Sequence, residues 1–202
     1  MFLLFSLATW VAHAESMCHY EYGVWNVYQR KTVIRIQVEK LRTQLTTEEI
    51  GPMGCTPCLE DQSMIQLSNG LSLQLCRNIA APVQHALEQS LSQGAIIKSV
   101  QGYRASMSRG EIDSKGNRTL LSNHAFGTAI DINRANNGLY DQCFTMGPTC
   151  RLIQGGAWNP QNPLSLTPQS PIVKAFQEIG LKWGGEIQGK QKDMMHFSPT
   201  GY

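Results

Sequence analysis

Apolar residues in this chain follow two rhythms, and the change between them divides it. Up to about residue 75 the rhythm is short. Thr32-Val33-Ile34-Arg35-Ile36-Gln37-Val38 is dense in β-branched side chains and alternates toward its end, which predicts a strand. Gly51-Pro52-Met53-Gly54 reads as a turn, and Asn69-Gly70 stands between two short apolar runs as the bend of a hairpin. From residue 78 the period lengthens. Ile79, Val83, Leu87 and Leu91 recur every four residues, the stripe of a helix that Asn78 caps and Gly94 ends. Residues 95–100 form a short apolar strand that delivers Tyr103-Arg104. Ser170-Pro171 opens a second helix, with Ile172, Val173, Phe176 and Ile179 inward and Gly180 as its stop. Residues 129–133 alternate like a strand, with Ala129, Asp131 and Asn133 on one face and Ile130 and Ile132 on the other.

Composition bounds the picture. Across 202 residues, 42% are hydrophobic and 16% charged, enough apolar mass for one core with an elaboration and too much for a disordered chain. No repeat or low-complexity linker separates residues 15–77, a β-rich region, from the C-terminal two thirds, so the two are expected to pack together. The net charge of +2 gives no reason to expect a nucleic-acid partner, and it tolerates an anionic polymer such as a cell wall. Oligomeric state is not readable.

The first 14 residues read as an export signal. Phe2 to Val11 is apolar, and Ala12-His13-Ala14 is a small-x-small cleavage pattern before Glu15. No Lys or Arg precedes the run, and a buried N-terminal strand is the alternative. The run is too short to span a bilayer as a helix, so no integral membrane segment is expected. All six cysteines (Cys18, Cys55, Cys58, Cys76, Cys143 and Cys150) follow the proposed cleavage point. An even number in an exported chain points to disulfides and to a periplasmic or extracellular location. Only a local Cys143–Cys150 bridge can be paired from sequence. Cys55-x-x-Cys58 also fits a redox pair or half of a structural zinc site, although no βαβ pattern and no second close pair accompany it.

Two segments carry candidate chemistry. In Ser122-Asn123-His124-Ala125-Phe126-Gly127-Thr128-Ala129-Ile130-Asp131, an imidazole and a carboxylate lie seven residues apart across a glycine-containing bend, and both are good zinc ligands. Near the end, Trp183-Gly184-Gly185 precedes Asp193-Met194-Met195-His196-Phe197. Read blandly, His124 and Asp131 are a hydrogen-bonded pair and His196 is a satisfied core histidine. His13 falls in the signal, His19 near the new N-terminus and His85 off the apolar face of its helix. His124 and His196 are therefore the imidazoles a zinc site would use.

The pattern Ser-x-His-x-x-Gly-x-Ala-x-Asp at 122–131, with Trp-Gly-Gly at 183–185 and Asp-x-x-His-Phe at 193–197, resembles the zinc D-alanyl-D-alanine carboxypeptidase family. That family includes vancomycin-resistance dipeptidases and several phage endolysins, and shares its fold with the Hedgehog signalling domain. The resemblance covers residues 78–202. It implies an α+β fold, a small antiparallel sheet with flanking helices, to which residues 15–77 would be an elaboration. It implies Zn²⁺ held by His124, Asp131 and His196, Asp193 as catalytic carboxylate, Arg104 facing substrate and Ser122 helping to hold it. The implied substrate is the peptide stem of peptidoglycan and the implied reaction removal of a terminal D-alanine. An endopeptidase cutting between L-alanine and D-glutamate, and a metal-containing binding module without catalysis, are the alternatives. Glu186 is the second choice for the base.

Overall fold

The computed structural model describes residues 16–202. The proposed leader over residues 1–14 lies outside them. β1 (Met17–Asn26) and β2 (Lys31–Leu41) form a long antiparallel ribbon, and the strand expected at 32–38 is the middle of β2. Short 3-10 turns lead to β3 (Gln62–Gln66) and β4 (Ser72–Cys76), a hairpin that bends at Asn69-Gly70. α1 (Arg77–Ser92) is next, then β5 (Val100–Gln101), β6 (Ser106–Ile112), β7 (Arg118–Leu121), β8 (Ile130–Ile132), β9 (Leu139–Asp141) and β10 (Arg151–Gln154). α2 (Pro171–Glu178), β11 (Lys182–Trp183), β12 (Lys192–Asp193) and β13 (His196–Ser198) complete the chain. Mixed α+β describes it, with few helices and several small sheets.

Four sheets result. One runs β2-β1-β6-β7, and its β1–β6 pair is parallel, with Gly23 opposite Ser106. A second, β11-β13-β8-β5, is antiparallel throughout. The third is β10-β9-β12 and the fourth is the β3-β4 hairpin. The core crosses residue 77: Ile65, Leu73 and Leu75 of the hairpin pack with Val83 and Leu87 of α1, Ile172 and Phe176 of α2, and Ile130, Ile132 and Phe197 of the second sheet. Phe176 meets Phe197 edge-on with centroids 4.7 Å apart, so α2 pins β13 from behind.

Three local expectations need correction. Asn78 does not cap α1. The helix starts at Arg77, and the Asn78 side-chain amide donates instead to the Met53 carbonyl. Tertiary ties set this start, because the Cys76 amide bonds the Gly127 carbonyl and Cys76 is disulfide-bonded. The strand expected over 95–100 shrinks to Val100–Gln101, because the Asn133 side-chain oxygen accepts the Lys98 and Ser99 amides that a ladder would have used. Asn133 itself leaves the strand with φ 48°, so it does not share a pleat face with Asp131.

The six cysteines form three disulfides, Cys18–Cys58, Cys55–Cys76 and Cys143–Cys150. Cys55 and Cys58 take different partners, which removes the redox-pair and zinc-ribbon readings. Two of the bridges tie the ribbon and its turns to the head of α1, and each is worth about 2–4 kcal/mol. Three disulfides suit an oxidising, exported environment. Among the described residues no helix is long and apolar enough to cross a membrane.

Candidate metal centre

Strand register assembles the centre. β8 and β13 pair so that His196 lies directly opposite Asp131, and β5 places Gln101 on the other side of Asp131. His124 arrives from the 3-10 turn Asn123–Phe126 just before β8. One atom from each of His124, Asp131 and His196 falls within 4.8 Å of the others, and all three residues are buried.

The donor set calls for a cation. His124 Nδ1 lies 2.8 Å from the Gly102 carbonyl oxygen, an acceptor only, so Nδ1 carries the hydrogen and Nε2 keeps its lone pair. That lone pair faces Asp131 Oδ1 at 3.1 Å. Burial drives the His124 pKa down and outweighs the opposing pull of Asp131, so the ring is neutral. Burial pushes the Asp131 carboxyl up, but the two histidines outweigh it and hold it well below its ordinary value. A neutral lone pair against an ionised carboxylate is repulsive unless something positive lies between them. His196 Nδ1 is 3.0 Å from the same Oδ1. Burial lowers its pKa and Asp131 more than restores it, leaving it raised. A tetrahedron with bonds of about 2.0–2.1 Å has edges of about 3.3 Å, close to both separations. The residues fit a metal, with the Gly102 carbonyl orienting one ligand.

Asp193 lies on β12 beside this cluster. Its Oδ1 is shielded from water and has no hydrogen-bond partner. Desolvation and the neighbouring Asp131 charge push its carboxyl up to about 6, against the pull of His196 and Arg104. The Trp-Gly-Gly turn explains its placement. A Cβ on Gly184 would stand 2.3 Å from the Asp193 carbonyl oxygen, so only glycine lets the two segments exchange their hydrogen bond. The Trp183 indole N–H donates to the Met194 carbonyl, and the Gly184 amide to the His196 carbonyl.

Arg104 reaches the cluster through Nη2, 3.5 Å from Asp131 Oδ2, while its backbone amide bonds the His124 carbonyl. Its side chain is 43% exposed. Ser122 precedes the first histidine with its hydroxyl buried and without a partner. Glu186 is not at the centre: it is exposed and accepts a hydrogen bond from Gln177. His85 is exposed on α1.

Beside the centre opens a cleft of about 560 Å³, lined by Ser99, Val100, Gln101, Asp131, Arg134, Ala135 and Gly155. Gln101 and Arg134 are not among the site residues expected from the sequence. The available signal was Arg134, three residues beyond Asp131 at the exit of its strand.

The sequence profile of the D-alanyl-D-alanine carboxypeptidase family matches residues 115–199, a span that includes His124, Asp131, Asp193 and His196 but stops short of Arg104. The match supports the family resemblance and a peptidase acting on a peptide substrate. No curated protein and no solved structure gave a significant match.

Proposed function

We propose that the protein is an exported zinc peptidase of the periplasm or cell exterior that removes the terminal D-alanine from peptidoglycan stem peptides. The observation that carries the reading is the buried His124–Asp131–His196 cluster with the Asp193 carboxylate beside it, one of its oxygens unpartnered. A structural zinc site has four protein ligands, whereas three leave a position open to water or substrate. In this reading residues 78–202 carry the Hedgehog-like peptidase fold and residues 15–77 elaborate it.

When bound, zinc supplies a Lewis acid that activates water and polarises a carbonyl. The chain's own groups supply the rest. Asp193, with its pKa raised to about 6, is ionised at neutral pH yet basic enough to take a proton from the attacking water and return it to the departing amine. No protein donor occupies its Oδ1. Arg104 holds a permanent charge at the exposed side of Asp131, where it stabilises negative charge developing on the scissile carbonyl oxygen. Ser122, beside the first ligand and with its hydroxyl unpartnered, is the residue that would help hold the peptide. The non-catalytic reading leaves Asp193 without a purpose, because burying a carboxylate oxygen without a partner costs stability.

Mass spectrometry of purified muropeptides incubated with the protein tests the proposal. Loss of one terminal D-alanine from a pentapeptide stem is expected. A fragment beginning at D-glutamate would replace it with the endopeptidase, and no cleavage would replace it with the binding module.

A further inference from the structure

The cleft beside the metal centre contains a cation that the chemistry above does not use. Arg134 lies on its wall, exposed, and no carboxylate stands within ion-pair distance of it among the described residues. The loop that presents it is built rigidly. Asn133 takes a left-handed conformation, φ 48°, and its buried side chain is fully engaged. Its oxygen accepts the Lys98 and Ser99 amides, and its nitrogen donates to the Ile96 and Leu164 carbonyls. The Arg134 carbonyl accepts the Gly156 amide at 2.9 Å. A Cβ on Gly156 would lie 1.7 Å from the Ala135 carbonyl oxygen, so the loop and the end of β10 meet backbone to backbone. An arginine on a mobile surface would not need this frame.

We infer that this cleft is a carboxylate subsite, in which the Arg134 guanidinium grips a free carboxylate of the peptide while Arg104 works at the scissile carbonyl. The inference rests on the peptidase reading. The two arginines flank Asp131 in different ways. Arg104 touches its Oδ2 and so stays at the reacting centre, whereas Arg134 is free to pair with a ligand. Asp131 lines the cleft as well, but its Oδ1 faces the two histidines and its Oδ2 faces Arg104. A guanidinium fork matches a carboxylate with two parallel hydrogen bonds. Gln101 and Ser99, which also line the cleft, add uncharged polar groups to the same space. A stem peptide offers two such carboxylates, its C-terminus and that of an internal acidic residue, and the test distinguishes them.

The test uses three synthetic stem pentapeptides: the free acid, its C-terminal amide, and one with its internal carboxylate amidated. Binding of each to the zinc-depleted full chain is measured by calorimetry, alongside hydrolysis by the zinc-loaded chain, for wild type, Arg134→Ala and Arg134→Lys. Wild type should bind the free acid about ten- to a hundredfold tighter than one of the two amidated peptides, and which one identifies the carboxylate. Arg134→Ala should lose that discrimination, Arg134→Lys should recover part of it, and in hydrolysis the loss should fall on KM more than on kcat. Because Arg134 is exposed, circular dichroism of the variant should match wild type. Equal binding of all three peptides by wild type, no binding of any, or discrimination that survives in Arg134→Ala, overturns the subsite. If wild type binds with discrimination but cleaves nothing, the peptidase reading fails and the subsite stands.

Discussion

The β1–β2 ribbon and the β8–β13 pair are both antiparallel, and they could hardly be used more differently. The ribbon strands run 10 and 11 residues, while β8 and β13 have three each. Yet every residue of β8 and β13 is buried, while β2 is largely exposed and carries Ile34 and Ile36 at 46% and 36% accessibility. The long pair makes many hydrogen bonds and contributes none of the metal cluster. The short pair sets Asp131 opposite His196 across 65 residues of chain. Length of strand measures local regularity. Placement of chemistry depends on which short segments the core forces together, and here α2 does the forcing through Phe176.

The largest way to sharpen this contrast is at the centre. Asp193→Asn keeps the side chain's shape and removes its base, so turnover should fall by about 10²–10⁴-fold with metal content unchanged. A variant that turns over normally places the base elsewhere. In wild type, kcat/KM should fall as pH drops through the Asp193 pKa, since protonation removes the base. Without a metal that carboxyl sits at about 6, and a bound cation pulls it lower, so the acid limb belongs at or below pH 6. A limb well above that would contradict the assignment.

Next comes packing. Phe197→Ala removes a fully buried ring and should cost about 3–5 kcal/mol in denaturant unfolding. A loss under about 1 kcal/mol would mean that β13 is not pinned by α2.

The N-terminal region should fail by a different route. Arg42 holds Asp61 with two hydrogen bonds, at 2.8 and 2.7 Å, and Thr56 adds a third. Burial pushes the Asp61 carboxyl up, but these donors outweigh it and leave it lowered; Glu49, held by Lys40, Thr46 and Tyr20, behaves alike. A lowered pKa stabilises above the unfolded value and is lost below the folded one. This contribution should thus be complete above about pH 5 and drain away as pH falls below 4. Asp61→Asn should cost about 1–3 kcal/mol at neutral pH and flatten the acid slope. An unchanged slope would show that the ion pairs contribute nothing. The smallest effect is Ile34→Ala on the exposed face of β2, expected within about 0.5 kcal/mol in the same unfolding assay, far below Phe197→Ala.

Legibility of the chain divides along the same line. β2, the Asn69-Gly70 hairpin and both helices announce themselves through local period and turn residues. The candidate ligands were legible because histidines are few and their spacing matches a known pattern. The features that stayed hidden depend on distant partners. The start of α1 is set by a disulfide and the Gly127 carbonyl, and the strand over 95–100 is cut short by the Asn133 side chain. The Gly102 carbonyl that orients His124 is a backbone feature with no signature in residue type, and the frame around Arg134 depends on the distant groups that the Asn133 side chain reaches.

We propose that His124, Asp131 and His196 hold one zinc. Elemental analysis of the purified chain beside His196→Ala tests it most directly. About one zinc per wild-type chain and almost none in the variant are expected, with His85→Ala retaining the wild-type content. Full zinc occupancy in His196→Ala would contradict it.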